Sequence, residues 1–458
     1  MTKSIEIPDC HYPREAVLIR PSAATPRHSL HLSNLDDQPF LRFSIRYLYL
    51  YRTAVDADLL KSSLARLLVD YYPLAGRLRA RDGGGGEGGK LEVDCSEQGA
   101  LFAEGHLDLT AGKFLEGSGR PNRSWRKLLY RVDAQSFLDV PPLVIQAIRL
   151  SCGGMILCTA ISHCLCDGIG TAQFLQSWAQ ITAKPGAELP VAPFHGRHAL
   201  APRSPPRAAF PHPEFDTPPA REPPSLDVLA QVLQSQPLVP VSVTFTPAQI
   251  LHLKRQCVPS LKCTSFEALA PHVWRSWAGS LGLPPSLGVK LLFSTNVRRR
   301  LSPELPRGYY GNGFVLGCAE APVGRLVESN PRYGVELVQR AKERVGDGYV
   351  RSVVDLLEER RARPDLSASL VISQWSKLGL EELDFGEGKP LHMGPLASEI
   401  YCLLLPVVGD LHAFTVLMSV PQGAAEKFEH LLTGDSCTEE VNGGGGEGGG
   451  GGGRWHYK

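Results

Sequence analysis

The chain lacks a surplus of charge of either sign. Among its 458 residues, lysine and arginine number 48 and aspartate and glutamate 47, which gives a formal net charge of +1. A protein that binds nucleic acid through its overall charge needs a marked basic excess, and an acidic disordered protein has the opposite excess. The composition therefore excludes both classes, and we expect no nucleic-acid partner.

Long apolar runs are also missing. A membrane-spanning helix needs about 18 apolar residues in succession, and the most apolar stretch, residues 144–161, contains Arg149. The first residues have no apolar secretory signal, and the last three residues do not form a peroxisomal or retention signal. These absences predict a cytoplasmic protein without a membrane span.

Cysteine pairs at metal-binding or disulfide spacing are absent as well. The eleven cysteines are odd in number and include no repeated C-x-x-C pair, so they indicate neither a disulfide framework nor a zinc site. Cys164 and Cys166 lie two residues apart, which is too close for a usual structural zinc pair. We expect buried, reduced thiols and no bound metal.

Three stretches differ in composition from the rest of the chain. Residues 83–89 and 443–453 hold 16 of the 46 glycines, and residues 181–240 hold 14 of the 37 prolines. The first glycine run predicts a loop between strands and the second a disordered tail, because neither has the setting of a phosphate-binding loop. Proline blocks helices and central strands, so the third stretch should run extended over the surface.

These stretches suggest how the chain is divided. A chain of this length is too long for one ordinary domain and suits two. We predict an N-terminal domain over residues 1–180, a crossover loop over residues 181–240, a C-terminal domain over residues 241–436 and a glycine-rich disordered tail over residues 437–458.

Strand and helix patterns alternate in both halves. An aromatic, apolar run predicts a strand at Leu41–Tyr51, and a fully apolar run predicts a strand buried on both faces at Met155–Ile161. Leucines at helical spacing follow Asp56, and Thr264 and Glu267 have the spacing of a capping box at the start of another helix. The predicted fold class is α/β with mixed sheets.

A cluster of reactive residue types follows the second of these strands. Residues 162–168 read SHCLCDG, in which Asp167 comes four residues after His163. Histidine suits a general base because its usual pKa lies near neutral pH. This spacing alone is weak, since residues 212–216 repeat it in the proline-rich stretch, and an ordinary buried histidine is one alternative. A thiol nucleophile at Cys164 or Cys166 is another.

Several further segments strengthen the interpretation of His163. They read YPLAGRL at residues 72–78, NVRRR at 296–300, YYGN at 309–312 and DFGEG at 384–388. In this order and spacing they resemble the plant BAHD acyltransferases, and the resemblance covers residues 5–432. It implies an α/β fold of two chloramphenicol-acetyltransferase-like domains, whose mixed sheets are flanked by helices and joined by a long crossover loop.

The resemblance also implies roles for single residues. His163 would be the catalytic base that deprotonates the acceptor as it attacks the thioester of acyl-CoA. Asp167 would pair with Arg298 and hold the histidine loop in place, and Gly168 would avoid crowding in the turn after the strand. The DFGEG segment at residues 384–388 matches the second motif of the family. It would shape the side on which CoA binds, through Asp384, Phe385, Gly386 and Gly388.

Two other groups are candidates for contacts with CoA. Thr264 and Ser265 open a helix whose N-terminus could receive an anion, and the corresponding helix of the family lies close to CoA. The arginine run at residues 298–300 could clamp a phosphate, or it could be a solvated run in which Arg298 is paired with Asp167.

Two positions depart from the family pattern. Glu387 stands where the family has tryptophan, so the acceptor or oxyanion role of that tryptophan is not carried over to this chain. Asn296 replaces the usual aspartate before the first arginine. These departures keep open the alternative of a non-catalytic protein that binds acyl-CoA or a partner.

The resemblance predicts a monomeric, acyl-CoA-dependent O-acyltransferase with acyl-CoA as co-substrate and no permanently bound cofactor. The acyl group would be hydroxycinnamoyl or another aromatic or aliphatic group, and the acceptor a small hydroxyl compound, in plant secondary or cuticle-type metabolism. An N-acyltransferase with an amine acceptor is the alternative. Residues 32–36, LSNLD, resemble relatives that acylate long-chain alcohols or ω-hydroxy acids. A peptide condensation domain is disfavoured, because its motif has a doubled histidine and Ser162 precedes His163 here.

Overall fold

The computed structural model describes residues 6–81, 89–119, 123–215, 236–257, 261–396 and 401–434, together with Leu233. The glycine run expected to form a loop lies almost wholly outside the described residues, and the tail expected over residues 437–458 lies wholly outside them. Every helix in the described ranges is too short or too polar to cross a bilayer.

The first half of the chain contributes eight strands and three helices within the described residues. They are β1 (Val17–Ile19), β2 (Ser29–His31), β3 (Ser44–Tyr51), α1 (Ala57–Asp70), β4 (Arg77–Ala80), β5 (Leu91–Asp94), β6 (Ala100–Leu107), α2 (Ala111–Gly117), β7 (Leu143–Leu150), β8 (Met155–Ser162) and α3 (Gly168–Ala183).

The second half contributes seven strands and six helices within the same description. They are β9 (Leu238–Phe245), α4 (Pro247–Arg255), α5 (Ser265–Ser280), β10 (Gly288–Asn296), β11 (Phe314–Pro322), α6 (Val323–Glu328), α7 (Arg332–Arg344), α8 (Asp347–Arg360), β12 (Ser369–Gln374), β13 (His392–Pro395), β14 (Cys402–Val407), β15 (Asp410–Pro421) and α9 (Ala425–Thr433).

These strands form two large mixed sheets and a small one. The first sheet has the order β1-β6-β7-β8-β3-β13 with β6 and β7 parallel, and the second has the order β11-β10-β12-β14-β15-β9 with β12 parallel to both of its neighbours. Strands β2, β5 and β4 form a separate antiparallel sheet. The predicted α/β class with mixed sheets is confirmed.

Strand β8 is central because both of its faces are covered. All eight of its residues are buried, as its unbroken apolar sequence predicts. Leu157 and Ile161 belong to a core shared with α1 and α3, whereas Ile156 and Cys158 belong to a second core shared with α2. Ser162 ends the strand, so the residues that follow emerge at a fixed edge of the sheet.

The predicted helix starts are also present. The Asp56 carboxylate accepts hydrogen bonds from the amides of Asp58 and Leu59 at 2.9 and 3.0 Å and caps α1. Thr264 and Glu267 form the predicted capping box at the start of α5. The predicted strand at residues 41–51 begins later, at Ser44, because Pro39 opens a 3₁₀ turn that runs to Leu41.

Strand β13 belongs to the second half of the sequence but completes the first sheet. It pairs antiparallel with β3, in a register that places His392 opposite Leu50 and Pro395 opposite Tyr47. The chain therefore returns to the N-terminal sheet after forming most of the second one. The DFGEG segment, which lies just before β13, is placed beside the N-terminal half as a result.

The crossover does not lie entirely on the surface, contrary to the sequence-based expectation. Within its described part, Arg197, Glu214 and Phe215 are buried. Glu214 accepts hydrogen bonds from the Tyr349 hydroxyl at 2.6 and 2.7 Å, and Phe215 packs in a core with α8. A polar partner on the second half satisfies Glu214 and an apolar core there covers Phe215, contacts that composition alone could not show.

Candidate active site

His163 directly follows β8, where the sheet meets the second half of the chain. Its amide donates a hydrogen bond to the Phe43 carbonyl at 2.9 Å, so the strand pairing between β8 and β3 extends to the histidine. The side chain stays partly accessible, while both neighbouring residues, Ser162 and Cys164, are buried. The imidazole is thus held by rigid backbone and can still be reached by a substrate.

The side chain that orients His163 comes from the second half. Asn312 is fully buried, and its Oδ1 lies 3.1 Å from His163 Nδ1. Its Nδ2 donates to the carbonyl of His163 at 2.7 Å and to Oδ1 of Asp36 at 2.9 Å. Because both of these oxygens can only accept, the amide group of Asn312 has to present its oxygen to the imidazole.

This orientation determines which ring nitrogen of His163 carries the proton. Since Oδ1 of Asn312 is an acceptor, Nδ1 of His163 has to be the donor. Burial lowers the pKa of His163 below its ordinary value of 6.5, with smaller opposing effects from Asp167 and Asn312. The ring is therefore neutral at neutral pH, and its Nε2 carries a free lone pair that can accept a proton.

The lowered pKa predicts the acid side of the pH–activity profile. Only the neutral imidazole can act as a base, so activity falls as the pH drops through the pKa of His163. Because burial lowers that pKa, we expect the midpoint of the acid limb of kcat/KM to lie below the ordinary histidine value of 6.5. Measuring kcat/KM between pH 4.5 and 8 tests this, and an acid-side midpoint above 6.5 would contradict it.

Asp167 lies four residues after His163 and forms a bidentate pair with Arg298. Nη1 and Nη2 of the arginine donate to its two carboxylate oxygens at 2.8 and 2.9 Å. The amides of Gly170 and Gly313 donate to the same oxygens at 2.9 and 3.0 Å. Burial by itself would raise the pKa of Asp167, but the Arg298 charge and these hydrogen bonds bring it below its ordinary value.

The pairing of Asp167 with Arg298 is the one that the family resemblance implies. Both groups are nearly buried, and the amide of Gly313 in the second half donates to the same carboxylate at 3.0 Å. Arg298 also donates to the carbonyls of Tyr309 and Gly311 at 3.1 and 2.7 Å. The pair therefore joins the histidine loop to residues 309–313, on which Asn312 lies.

Asn296 and the other arginines of the run occupy different surroundings. Oδ1 of Asn296 accepts from the amide of Arg298 at 3.1 Å, so an amide oxygen serves here as the acceptor. Arg300 donates to the carbonyls of Lys342 and Val345, both at 2.7 Å, whereas Arg299 is exposed. Arg298 is committed to Asp167, which leaves Arg299 as the residue of the run that is most open to solvent.

Two glycines shape the turn from the histidine loop into α3. A Cβ atom at Gly168 would lie 3.2 Å from a terminal methyl group of Leu378, whereas one at Gly170 would lie 1.8 Å from the carbonyl oxygen of Tyr310. The Leu378 side chain can shift, but the backbone of Tyr310 cannot do so cheaply. Gly170, which the sequence analysis did not single out, is therefore the stricter requirement.

This difference predicts unequal effects of two matched substitutions. The methyl group of Gly170→Ala would overlap the carbonyl oxygen of Tyr310. This variant should therefore lower the free energy of unfolding by about 3 kcal/mol, the upper end of the range for overpacked cores. Gly168→Ala should change it by less than about 1 kcal/mol, since alanine favours the helix that begins there. Urea unfolding of both variants beside the wild type measures the difference, and equal effects would contradict the explanation.

The two cysteines of the loop are poorly placed for nucleophilic attack. Cys164 and Cys166 are fully buried, and burial raises the pKa of both thiols. The Sγ atom of Cys164 points to the Leu41 carbonyl at 3.5 Å. A reactive cysteine instead needs an accessible thiolate at neutral pH, so this geometry argues against an acyl-cysteine step.

The second motif forms a self-capped turn anchored on the N-terminal half. Oδ1 of Asp384 accepts from the amides of Gly386 and Gly388 at 2.7 and 3.0 Å, and both glycines have a positive φ, at 108° and 95°. Phe385 is buried and packs edge-on against Trp178 of α3 at 4.9 Å. Glu387 is exposed on the turn.

The residues expected near CoA at the start of α5 lie within a closed local network. Oγ1 of Thr264 accepts from the amide of Glu267 at 3.2 Å, and the Glu267 carboxylate accepts from the amide of Thr264 at 2.9 Å and pairs with Lys342. Thr264 is exposed and Ser265 is partly exposed. Their contact with CoA stays a prediction.

Aromatic side chains from both halves surround His163. The rings of Phe43 and Phe314 lie 5.2 and 6.0 Å from the imidazole, and Tyr401 stacks on Phe43 at 6.3 Å. All three aromatic residues are partly exposed. Within the described ranges, no group of three or more His, Cys, Asp or Glu residues is arranged to hold a metal.

Sequence reasoning missed two polar residues of this site. Asn312 stands in the quoted YYGN segment and Asp36 in LSNLD, but no role was predicted for either. Both are fully buried, and their contact joins positions 276 residues apart. The sequence offers no usable signal for Asp36, because residues 33, 34, 37 and 38 around it are also polar.

Comparison with known proteins places the chain among transferases. The model of the Transferase family matches residues 14–433. An omega-hydroxypalmitate O-feruloyl transferase of Arabidopsis thaliana is 34% identical over 91% of this chain and 91% of its own length. A fatty alcohol:caffeoyl-CoA acyltransferase of the same plant is 34% identical over 92% of this chain and 97% of its own length.

A solved structure shows the same fold. The crystal structure of vinorine synthase has a TM-score of 0.70 to this chain at 19% identity, and the match covers 93% of this chain and 98% of that one. This likeness confirms the two-domain fold that the sequence predicts.

Proposed function

The chain belongs to the BAHD acyltransferases of the Transferase family, and we propose that it transfers a hydroxycinnamoyl or related acyl group from acyl-CoA to a hydroxyl acceptor. The observation that carries this proposal is the state of His163. The ring is neutral, partly accessible and bound through Nδ1 to Asn312, which leaves Nε2 as a base between the two halves. The relatives named for feruloyl and caffeoyl-CoA transfer support the acyl class.

The reaction follows from this arrangement without a covalent enzyme intermediate. Nε2 of His163 takes the proton of the acceptor hydroxyl while the hydroxyl oxygen attacks the carbonyl carbon of the thioester. The resulting tetrahedral intermediate breaks its carbon–sulfur bond, and the proton passes from Nε2 to the departing sulfur. An ester and free CoA are formed, and His163 returns to its neutral form.

The remaining site residues support the base rather than take part in proton transfer. We assign Asp167, Arg298 and Gly168 to holding the histidine loop, with Gly170 enforcing the turn. We place Asp384, Phe385, Gly386 and Gly388 on the CoA side, and Thr264 and Ser265 at a contact with CoA. The exposed Glu387 takes no part in the proposed proton transfer.

The surroundings of His163 favour an acceptor with an apolar body. Phe43, Phe314 and Tyr401 present partly exposed aromatic surface around the imidazole. Aromatic surface of this kind suits an alkyl alcohol and a planar acyl group better than a highly charged acceptor. The names of the two Arabidopsis relatives, which act on ω-hydroxypalmitate and on a fatty alcohol, support the same class of acceptor.

The enzyme is proposed to act as a monomer in the cytoplasm. The side chain that orients His163, Asn312, and its partner Asp36 come from this chain itself, which supports a site that needs no partner subunit. The ten cysteines within the described residues are all free, which suits a reducing compartment. Size-exclusion chromatography with light scattering tests the oligomeric state.

The proposed function is tested with the purified full-length chain. Feruloyl-CoA, caffeoyl-CoA and acetyl-CoA are each combined with hexadecanol, 16-hydroxyhexadecanoic acid, shikimate and tyramine, and the release of free CoA thiol is followed with mass detection of the product. We expect release that needs both substrates and is fastest with a hydroxycinnamoyl donor and an aliphatic alcohol. Product only from tyramine would make the chain an N-acyltransferase. No product from any pair, with measurable binding of acyl-CoA, would make it a non-catalytic protein.

A further inference from the structure

Four neighbouring rings from both halves of the chain include the imidazole of His163. The ring centres of Phe314 and Phe43 lie 6.0 and 5.2 Å from that of His163, and the ring centre of Tyr401 lies 6.3 Å from that of Phe43. Phe314 begins β11, whereas Tyr401 directly precedes β14. Strands β10 and β12 lie between β11 and β14, which are therefore about 14 Å apart across the sheet. His163 thus has two different flanks.

The flank on the side of β11 is mainly aliphatic. Phe314 belongs to a small cluster, the apolar strip, whose other members are Phe40, Leu292, Leu316, Cys318 and Val371. Phe40, Phe314 and Val371 are partly exposed, whereas the remaining members are buried beneath them. The strip therefore offers apolar surface to a substrate over a packed base. Aliphatic surface of this kind suits an alkyl chain.

The apolar strip continues along β11 away from the imidazole. Phe314, Leu316 and Cys318 alternate along the strand, so their side chains share one face of the sheet over about 13 Å. The next residue on that face, Glu320, lies opposite Lys290 of β10 and pairs with it at 3.7 Å. The strip thus begins beside His163 and ends at a charged pair.

The flank on the side of β14 consists of two aromatic rings. Phe43 and Tyr401 are both partly exposed, and their ring planes are inclined by 28°. Their centres lie farther apart than the roughly 3.5–4.0 Å between carbon atoms in face-to-face contact, so neither ring covers the face of the other completely. Free ring faces favour a planar group, which gains both burial and stacking there.

We propose that the two flanks divide the substrates, so that Phe43 and Tyr401 hold the planar ring of a hydroxycinnamoyl donor and the apolar strip holds the alkyl chain of the alcohol. This inference rests on the proposed function, because it concerns the donor and the acceptor of the same reaction. The thioester carbonyl and the acceptor hydroxyl meet at Nε2 of His163, and the rest of each substrate extends along its own flank.

Tyr401 and Phe40 are the residues best suited to test this division. Tyr401 contacts Phe43, and Phe40 packs in the cluster of Phe314. Substituting either residue therefore leaves the two rings beside the imidazole in place. Their assigned role is to determine specificity, with no part in proton transfer.

The test measures donor preference and acceptor preference separately in the purified full-length chain. Donor preference is the ratio of kcat/KM for feruloyl-CoA to that for decanoyl-CoA. Acceptor preference is the ratio of kcat/KM for hexadecan-1-ol to that for butan-1-ol. Each ratio compares two substrates on the same protein, so a variant that only loses folded or active protein keeps both ratios. Urea unfolding of each variant runs in parallel.

We expect Tyr401→Leu to lower donor preference by about tenfold, the upper value for loss of an aromatic pair, and to leave acceptor preference unchanged. Phe40→Ser should do the reverse and lower acceptor preference by about tenfold, the lower value for exposing an apolar side chain of this size. Tyr401→Phe keeps the ring and should retain the wild-type donor preference.

Two aromatic residues outside the site provide matched controls. The Arg325 guanidinium lies over the ring of Tyr333 at 4.6 Å, and Phe210 is 43% exposed on the crossover. Tyr333→Leu and Phe210→Ser introduce the same side chains as the two test variants. Both should leave donor preference and acceptor preference at the wild-type values.

Other results distinguish failure of the proposed function from failure of this inference. If the wild type transfers no acyl group with any substrate pair, the proposed function fails. If the wild type is active but both test variants lower all four kcat/KM values by one factor, or if Tyr401→Leu changes acceptor preference instead, the division of the flanks is overturned. A wild type that prefers decanoyl-CoA also overturns it. Should either test variant not fold, Tyr401→Met and Val371→Thr replace them and should change the same ratios.

Discussion

Replacing His163 with alanine is expected to lower kcat for acyl transfer by about 10²–10⁴-fold, the range for loss of a general base. The neutral ring takes the acceptor proton in the proposed reaction, and its Nε2 is left free by the bond from Nδ1 to Asn312. KM for acyl-CoA should change little, because the proposed CoA contacts lie on other segments. Steady-state thiol release with a saturating alcohol measures the effect.

The neighbouring thiol offers a matched control for this substitution. Cys164→Ser alters the buried residue beside His163, and the Sγ atom that it replaces lies 3.5 Å from the Leu41 carbonyl oxygen. It should leave kcat within about threefold of the wild type and affect stability more than rate, as for a buried packing residue. If Cys164→Ser abolishes transfer while His163→Ala retains it, the thiol carries the reaction and the general-base mechanism is wrong.

Asp167→Asn is expected to destabilise the folded chain by about 3–5 kcal/mol, as for removal of one partner of a buried ion pair. The asparagine would leave the Arg298 guanidinium without its counterion and would turn its NH₂ toward the donating amide of either Gly170 or Gly313, which bind different oxygens of the carboxylate. Urea unfolding measures the loss. The protein that remains folded should retain more activity than His163→Ala, because Asp167 does not orient the imidazole.

A surface pair gives the scale against which that loss is judged. Asp347 pairs with Arg351 one helical turn away at 3.0 Å, and both side chains are about one-third exposed. Asp347→Asn should lower stability by no more than about 1 kcal/mol, the usual upper value for exposed pairs. Equal losses for the two variants would show that burial of the Asp167–Arg298 pair is not what makes it important.

The parts of the molecule that sequence predicts well are those set by neighbouring residues. The unbroken apolar run of β8 can only be buried, and the residue after it has to emerge at the sheet edge, which places His163. Asp56 and Thr264 cap their helices through contacts within four residues. The pairing of Asp167 with Arg298 came from family resemblance, because 131 residues separate the two groups.

The remaining features depend on contacts that no local pattern specifies. The requirement for glycine at position 170 arises from the carbonyl of Tyr310, a residue from the other half of the chain. No local pattern indicates that the side chains of Asp36 and Asn312 are buried and hydrogen-bonded to each other. Arg197 lies in a proline-rich stretch that resembles a surface linker, and only the packed structure shows its guanidinium between two aromatic residues and Asp36.

The placement of β13 in the first sheet has a consequence for how the chain is made. Tyr47 on β3 pairs with Pro395 on β13. Pro395 leaves the ribosome only after most of the second half has been synthesised. Until then, one edge of the N-terminal sheet has unpaired backbone groups and can pair with other chains. The N-terminal half cannot finish folding first and wait for the second, so synthesis of the two halves as separate polypeptides should give an aggregation-prone N-terminal fragment.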